Sequence, residues 1–223
     1  MSSTRTKYFN QLDEIDSNLG RFAAQTAEDV RSLAQALAGD ASVAQDVLDN
    51  GTTGRRLRGS IEDACLDAML LQQPVAGDLR FLTGTFRMVS DLAHIDAKAS
   101  DVAELAQSLP TEVVANLGDH LKFASERVAT MVEDAVEAFR TSDVDKAHGV
   151  FTMDDDIDDV YLAAEGVVID LIKASETRAK YLPELLMVAK YFERMGDDAV
   201  RIADWAIFRA TGTRERAVET EAE

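Results

Sequence analysis

Two acidic stripes are the residues of this chain whose types and spacing could do chemistry. In YFERMGDDAVRIADWA (191–206), Glu193, Asp197 and Asp204 follow at intervals of four and seven residues, and in MDDDIDDVYLAAEGVV (153–168) Asp154, Asp158 and Glu165 repeat that spacing. At about 100° per residue each set stays within roughly 40° of a helical wheel. Phe192, Met195, Ala199, Ile202, Ala203 and Ala206 lie off the acidic side of the last segment, so its acids look along a groove toward a second helix. Like charges one turn apart repel by a few tenths of a kcal/mol. Two such stripes facing each other would concentrate negative charge that low dielectric does not tolerate without a counter-ion. Oxygen-only ligands suit hard cations such as Mg²⁺, Mn²⁺, Ca²⁺ or iron, whereas zinc recruits His or Cys. The expected ligands are Asp154, Asp158, Glu193 and Asp197, with Glu165 and Asp204 flanking. Asp204 lies about 16 Å from Glu193 at roughly 1.5 Å rise per residue, too far for the same ion, so the expectation is a row of ions or one main site with an outlier. With 41 acidic residues among 223, a solvated acidic face is the competing reading.

Other chemistries are weaker. Asp91 with His94, and Asp145 with His148, have one-turn carboxylate–histidine spacing, but the paired Glu-x-x-His of di-iron bundles is missing. A carboxylate-bridged metalloenzyme in a helical bundle is therefore the lesser alternative, beside a purely structural scaffold whose acids stay solvated. There is no Gly-rich phosphate loop, Ser-His-Asp grouping or Cys-His pair. The lone Cys65 sits in the apolar pattern Ile61, Cys65, Met69 and reads as a small core residue of a protein in a reducing compartment. A net charge of −18 repels nucleic acid and anionic lipid and attracts basic protein surfaces. Arg55, Arg56 and Arg58 in GRRLRGS form the densest basic cluster and read as a solvated helix segment. The N-terminus lacks the apolar centre of a secretory signal, and no apolar run approaches the ~20 residues of a membrane span, so a cytoplasmic protein without membrane insertion is expected.

The elements that must position these residues are helices. Apolar residues recur at helical spacing throughout, and alternating β-branched runs are absent. Breaks at AGDAS, QQPVAGD, SLPTE, RTSDVD and TRAKYLPE predict helices at roughly 5–37, 43–72, 77–107, 112–140, 144–176 and 181–211. The fold class expected is all-α, two tandem three-helix bundles related by an internal repeat: 1–108, 109–212, and a frayed tail from 213 to 223. Met88, Leu92, Ile95, Ala99, Val102 and Ala103 superimpose on Val188, Phe192, Met195, Ala199, Ile202 and Ala203, apolar on apolar at every pair. The stripe positions do not carry over. The first half has Gly51, Arg55 and Glu62, then Ala93, Ala97 and Glu104, so it is expected to bind metal weakly or not at all, with Arg55 as a built-in cation.

LLQQPVAGDLR (70–80), DDDIDDVY (154–161) and YFERMGDDAVRIA (191–203) resemble the PhoU family of phosphate-uptake regulators over nearly the whole chain. The resemblance implies two tandem three-helix bundles whose Glu/Asp-x-x-x-Asp motifs hold metal clusters in some members. Here that motif maps onto Asp154/Asp158 and Glu193/Asp197, and it fails at LAHIDAKA (92–99). The resemblance further implies a non-enzymatic adaptor, a homodimer, that represses the phosphate-starvation response. Its implied partners are the ATPase of a phosphate ABC transporter and a membrane sensor histidine kinase, met at the inner face of the membrane.

Overall fold

The computed structural model describes residues 3–174 and 179–215. Six long helices carry the chain: α1 (Ser3–Leu37), α2 (Ala41–Gln72), α3 (Ala76–Ser108), α4 (Gly118–Thr141), α5 (Val144–Lys173) and α6 (Leu182–Thr211). Their ends follow local chemistry. Gly39 leaves α1 at φ 104°, the left-handed region where a Cβ is costly. Asp40 then caps α2 by accepting from the Ser42 and Val43 amides at 3.1 and 3.3 Å. Asp143 caps α5 through the Lys146 amide, Pro183 sits in the first turn of α6, and Gly212 closes α6 at φ 91°. The fourth helix differs from its predicted span: Thr111–Val114 and a 3₁₀ turn, Ala115–Leu117, precede α4. The Asn116 amide donates to the carbonyls of Glu112 and Val113 and so closes that separate turn. Positions 175 and 176 of the predicted fifth helix lie outside the described residues.

Helices α1, α2 and α3 pack on one another, as do α4, α5 and α6, which gives the two three-helix bundles. The bundles are fused. α1 packs on α4 and α3 on α6, so these four make an inner ring flanked by α2 and α5, and one continuous apolar core runs through both repeats. At this seam Gly84 makes room for the fully buried Phe139, whose Cε2 lies 2.6 Å from where a β-carbon on Gly84 would stand. Arg209 donates to the Phe139 carbonyl at 2.6 Å and lies over the rings of Phe81 and Phe139, 4.7 and 5.1 Å from their centroids. Arg31 reaches Glu126 and Glu133 on α4, and Arg140 reaches Asp16 on α1. No helix among the described residues is long and apolar enough to cross a membrane.

Candidate metal centre of the second bundle

The outer helix α5 buries Ala147, Val150, Ile157, Val160, Ala164 and Val168. Asp154 and Glu165 are half-buried beside that stripe, while Asp158 on α5 and Asp197 on α6 are exposed at the edge of the seam. Gly196 lets the helices approach there: a β-carbon at Gly196 would meet Asp154 Oδ1 at 3.0 Å and Ile157 Cγ2 at 3.7 Å. The Asp154 carboxylate thus rests on the backbone of α6, between the turns that carry Glu193 and Asp197. Glu193 is mostly covered, at 16% side-chain exposure; its Oε1 accepts from Lys190 Nζ at 2.6 Å, while its Oε2 is buried with no hydrogen-bond partner. A carboxylate oxygen in that state costs free energy until a cation or donor reaches it. Asp197 is held above the usual carboxylate range by partial burial and by the charges of Glu193 and Asp158, with Arg201 and Lys190 pulling the other way. The fields of Glu193, Asp158 and Asp197 therefore overlap across the seam.

The flanking pair behaves differently. Glu165 bonds Tyr161, whose hydroxyl is pushed up by burial, by the Glu165 charge and by that bond. Lys190 lies over the Tyr161 ring at 4.8 Å, so Tyr161 and Lys190 link Glu165 to Glu193. Asp204 is fully buried elsewhere along α6. It accepts from Arg214 Nε at 2.6 Å and from the Glu215 amide at 2.9 Å, and Arg214 lies 4.0 Å over Trp205. Its carboxylate fixes the segment after α6, so residues 213–215 of the expected tail are held, and 216–223 lie outside the described residues.

The donors along the seam are all oxygens, and the orphaned Glu193 Oε2 is the observation that fits a hard cation. The acids are strung along the seam: among the described residues, three metal-type side chains come within 4.8 Å of one another only at Asp91, His94 and Asp198.

The sequence model of the PhoU domain matches the chain twice, over residues 17–106 and 121–206. The chain belongs to the PhoU family. Similar proteins include the phosphate-specific transport system accessory protein PhoU homolog of Clostridium acetobutylicum, 26% identical over 94% of this chain and 96% of that protein. The homolog of Aquifex aeolicus is 30% identical over 92% of this chain and 94% of its own length. The crystal structure of PhoU from Pseudomonas aeruginosa aligns with a TM-score of 0.85 at 26% identity, covering 92% of this chain and 100% of that one. PhoU from Streptococcus pneumoniae, 21% identical at a TM-score of 0.80, shares the fold. The family is one of accessory and regulatory proteins of phosphate transport, and the doubled match agrees with the repeat read from the apolar pattern.

Within this PhoU fold, the Asp91, His94 and Asp198 cluster is an ion-pair hub between the repeats. Asp198 is fully buried and takes Lys98 Nζ at 2.5 Å and the Arg201 guanidinium, which also reaches Asp91 at 3.1 Å. Burial and the neighbouring Lys98 hold His94 below its ordinary range. Two cations already serve these carboxylates, and a metal ion would have to displace both. Sequence reasoning missed Asp198: Arg201 stands one turn along α6, but the burial and the Lys98 partner come from α3, to which nothing in the spacing within α6 points. His148, paired with Asp145 in the sequence reading, instead meets Glu215 at 2.9 Å. In the first PhoU repeat Arg55 lies exposed, bonded to Thr52, and Glu62 accepts from Arg58.

Proposed function

We propose that this chain is a metal-binding, non-enzymatic adaptor of phosphate uptake and phosphate-starvation signalling. Asp154, Asp158, Glu193 and Asp197 would hold one or more hard cations, magnesium, manganese or iron, along the α5–α6 seam. Such an ion would supply positive charge to neutralise the carboxylates along the seam and to fasten α5 to α6. The observation that carries this is the buried, unpartnered Glu193 Oε2 on the α5–α6 seam, where Asp154 packs onto Gly196 and the charges of Glu193 and Asp158 act on Asp197. Glu165 acts through Tyr161 and Lys190 rather than on an ion, and Asp204 serves the chain end.

The adaptor role is supported by relatives described as accessory proteins of a phosphate-specific transport system. The partners proposed are the transporter ATPase and a sensor histidine kinase on the cytoplasmic side, with the chain acting as a homodimer. A strongly acidic surface favours basic docking faces. Elemental analysis of protein purified without chelator, beside the Glu193→Ala/Asp197→Ala double variant, tests the metal site. Metal in the parent and its loss in the variant are expected, and equal content in both refutes the site. A pull-down from membranes of phosphate-rich and phosphate-poor cells tests the adaptor role: it predicts recovery of a transporter ATPase or sensor kinase, and recovery of neither refutes it.

A further inference from the structure

The first repeat contains a buried acid pair that neither stripe announces. Asp29 on α1 is 4% exposed and Asp96 on α3 is 6% exposed. Asp29 Oδ1 accepts from Asn50 Nδ2 at 2.7 Å, and Gln25 holds Asn50 in turn by donating to its carbonyl at 2.9 Å. Asp29 Oδ2 is buried with no partner at hydrogen-bonding geometry, although Gln25 stands close enough to favour its ionised form. The Asp96 carboxylate presses on the backbone of α2: a β-carbon on Gly54 would stand 2.5 Å from Asp96 Oδ2, and one on Gly51 4.0 Å from it. No described side chain or amide donates to that carboxylate.

Comparison of the two repeats shows that the carboxylate is retained and its source reversed. Gly51 is the counterpart of Asp154, and Asp96 is the counterpart of Gly196. In the second repeat α5 sends an aspartate onto a glycine of α6; in the first, α3 sends an aspartate onto glycines of α2. An acid therefore occupies this level of the seam in both bundles. Among the described residues, only in the first does another buried acid, Asp29 of the inner ring, meet the same stretch of the outer helix, through Asn50 next to Gly51.

The charges around the pair do not balance. Glu28 on α1 adds only weakly to the negative side, being exposed and paired with Arg31, and α2 offers Arg55, which faces Asp96 but lies exposed with its charge screened by water. α4 sends Glu126 and Glu133 to Arg31 instead. Among the described residues, neither buried carboxylate has a buried cation of its own. The Gly54 contact fills with backbone the space a hydrated ion would need, and a proton requires no such space. We propose that Asp29 and Asp96 form a proton-binding site inside the first bundle. Consistent with that geometry, burial pushes both carboxyls up to about 6; on Asp29 the Asn50 bond and the nearby Gln25 amide oppose it while the Asp96 charge adds to it, and on Asp96 Arg55 opposes it. Loss of its protons leaves two buried charges against the Gly51–Arg55 stretch of α2 and favours water entering there.

Carboxyl-carbon NMR titration of the full chain labelled at aspartate, assigned with Asp29→Asn and Asp96→Asn, tests the site. Expected are midpoints above pH 5 for both groups, and a fall of about half a unit or more in the Asp29 midpoint when Asp96 is neutralised. Because Arg55 is exposed, Arg55→Gln leaves folding intact and should raise the Asp96 midpoint even if the aspartate variants fail to fold. Ionisation of both groups below about pH 4.5 would overturn the proposal, since ordinary carboxylates titrate there. Midpoints that move when sodium or magnesium chloride is exchanged at constant ionic strength would overturn it too, by showing that a metal ion occupies the pair.

Discussion

If Asp29 and Asp96 are buried as described, the chain should lose stability as pH rises through the range in which they ionise. Each carboxyl stands at about 6 in the folded chain against a reference of 3.8. A shift of roughly two units at 1.36 kcal/mol per unit is about 3 kcal/mol per group. The sign follows from proton counts: between these values the folded state binds more protons than the unfolded one, so unfolding free energy falls with rising pH. The contribution is fully present below about pH 4 and lost above about pH 6. The two groups share part of their repulsion, so the pair's total is less than twice the single figure. Asp40, pulled down to about 2 by bonds from Ser42 and Gln35, works in the opposite sense and only at lower pH. The assay is urea unfolding at pH 4.5, 6 and 7.5 for the parent and for Asp29→Asn. Neutralising Asp29 removes its own dependence and eases that of Asp96, so the variant should lose about half as much stability or less across the range. Parallel pH profiles for the two proteins would refute the reasoning.

Three more outcomes are expected. Gly84→Ala should destabilise by about 1 kcal/mol in urea melts, as roughly 1–3 kcal/mol of overpacking against Phe139 exceeds the ~1 kcal/mol gained in helix propensity, while Gly149→Ala, with open space around it, should be neutral or stabilising. Lys98→Met leaves buried Asp198 with Arg201 as its remaining cation and should cost about 3 kcal/mol, read by the same melts. Arg214→Ala should change Trp205 fluorescence and increase protease cleavage after α6, because Asp204 then loses the guanidinium that draws the chain end down.

Helix boundaries were legible because their signals are local: Gly39, Asp40, Asp143 and Gly212 each set the backbone or satisfy the end groups of their own helix. The acidic stripes were legible for the same reason, since residue spacing sets the angle of a side chain around its own axis. Spacing does not set the rotation or axial register of one helix against another, and those decide what a carboxylate meets. Asp204 shares a stripe with Glu193, yet packing gives it to Arg214. Asp96 replaces a glycine of the second repeat, and only the docking of α2 shows that Gly51 and Gly54 receive it beside Asp29. Asp198, one residue along from a stripe member, turns inward to Lys98 because α3 and α6 join the two bundles there. The sequence by itself thus determined the six-helix plan apart from the separate turn before α4, its repeat and the angular placement of each acid. Tertiary structure decided which acids are buried, which are paired and which remain unsatisfied, because burial and pairing depend on groups that lie far apart in the chain.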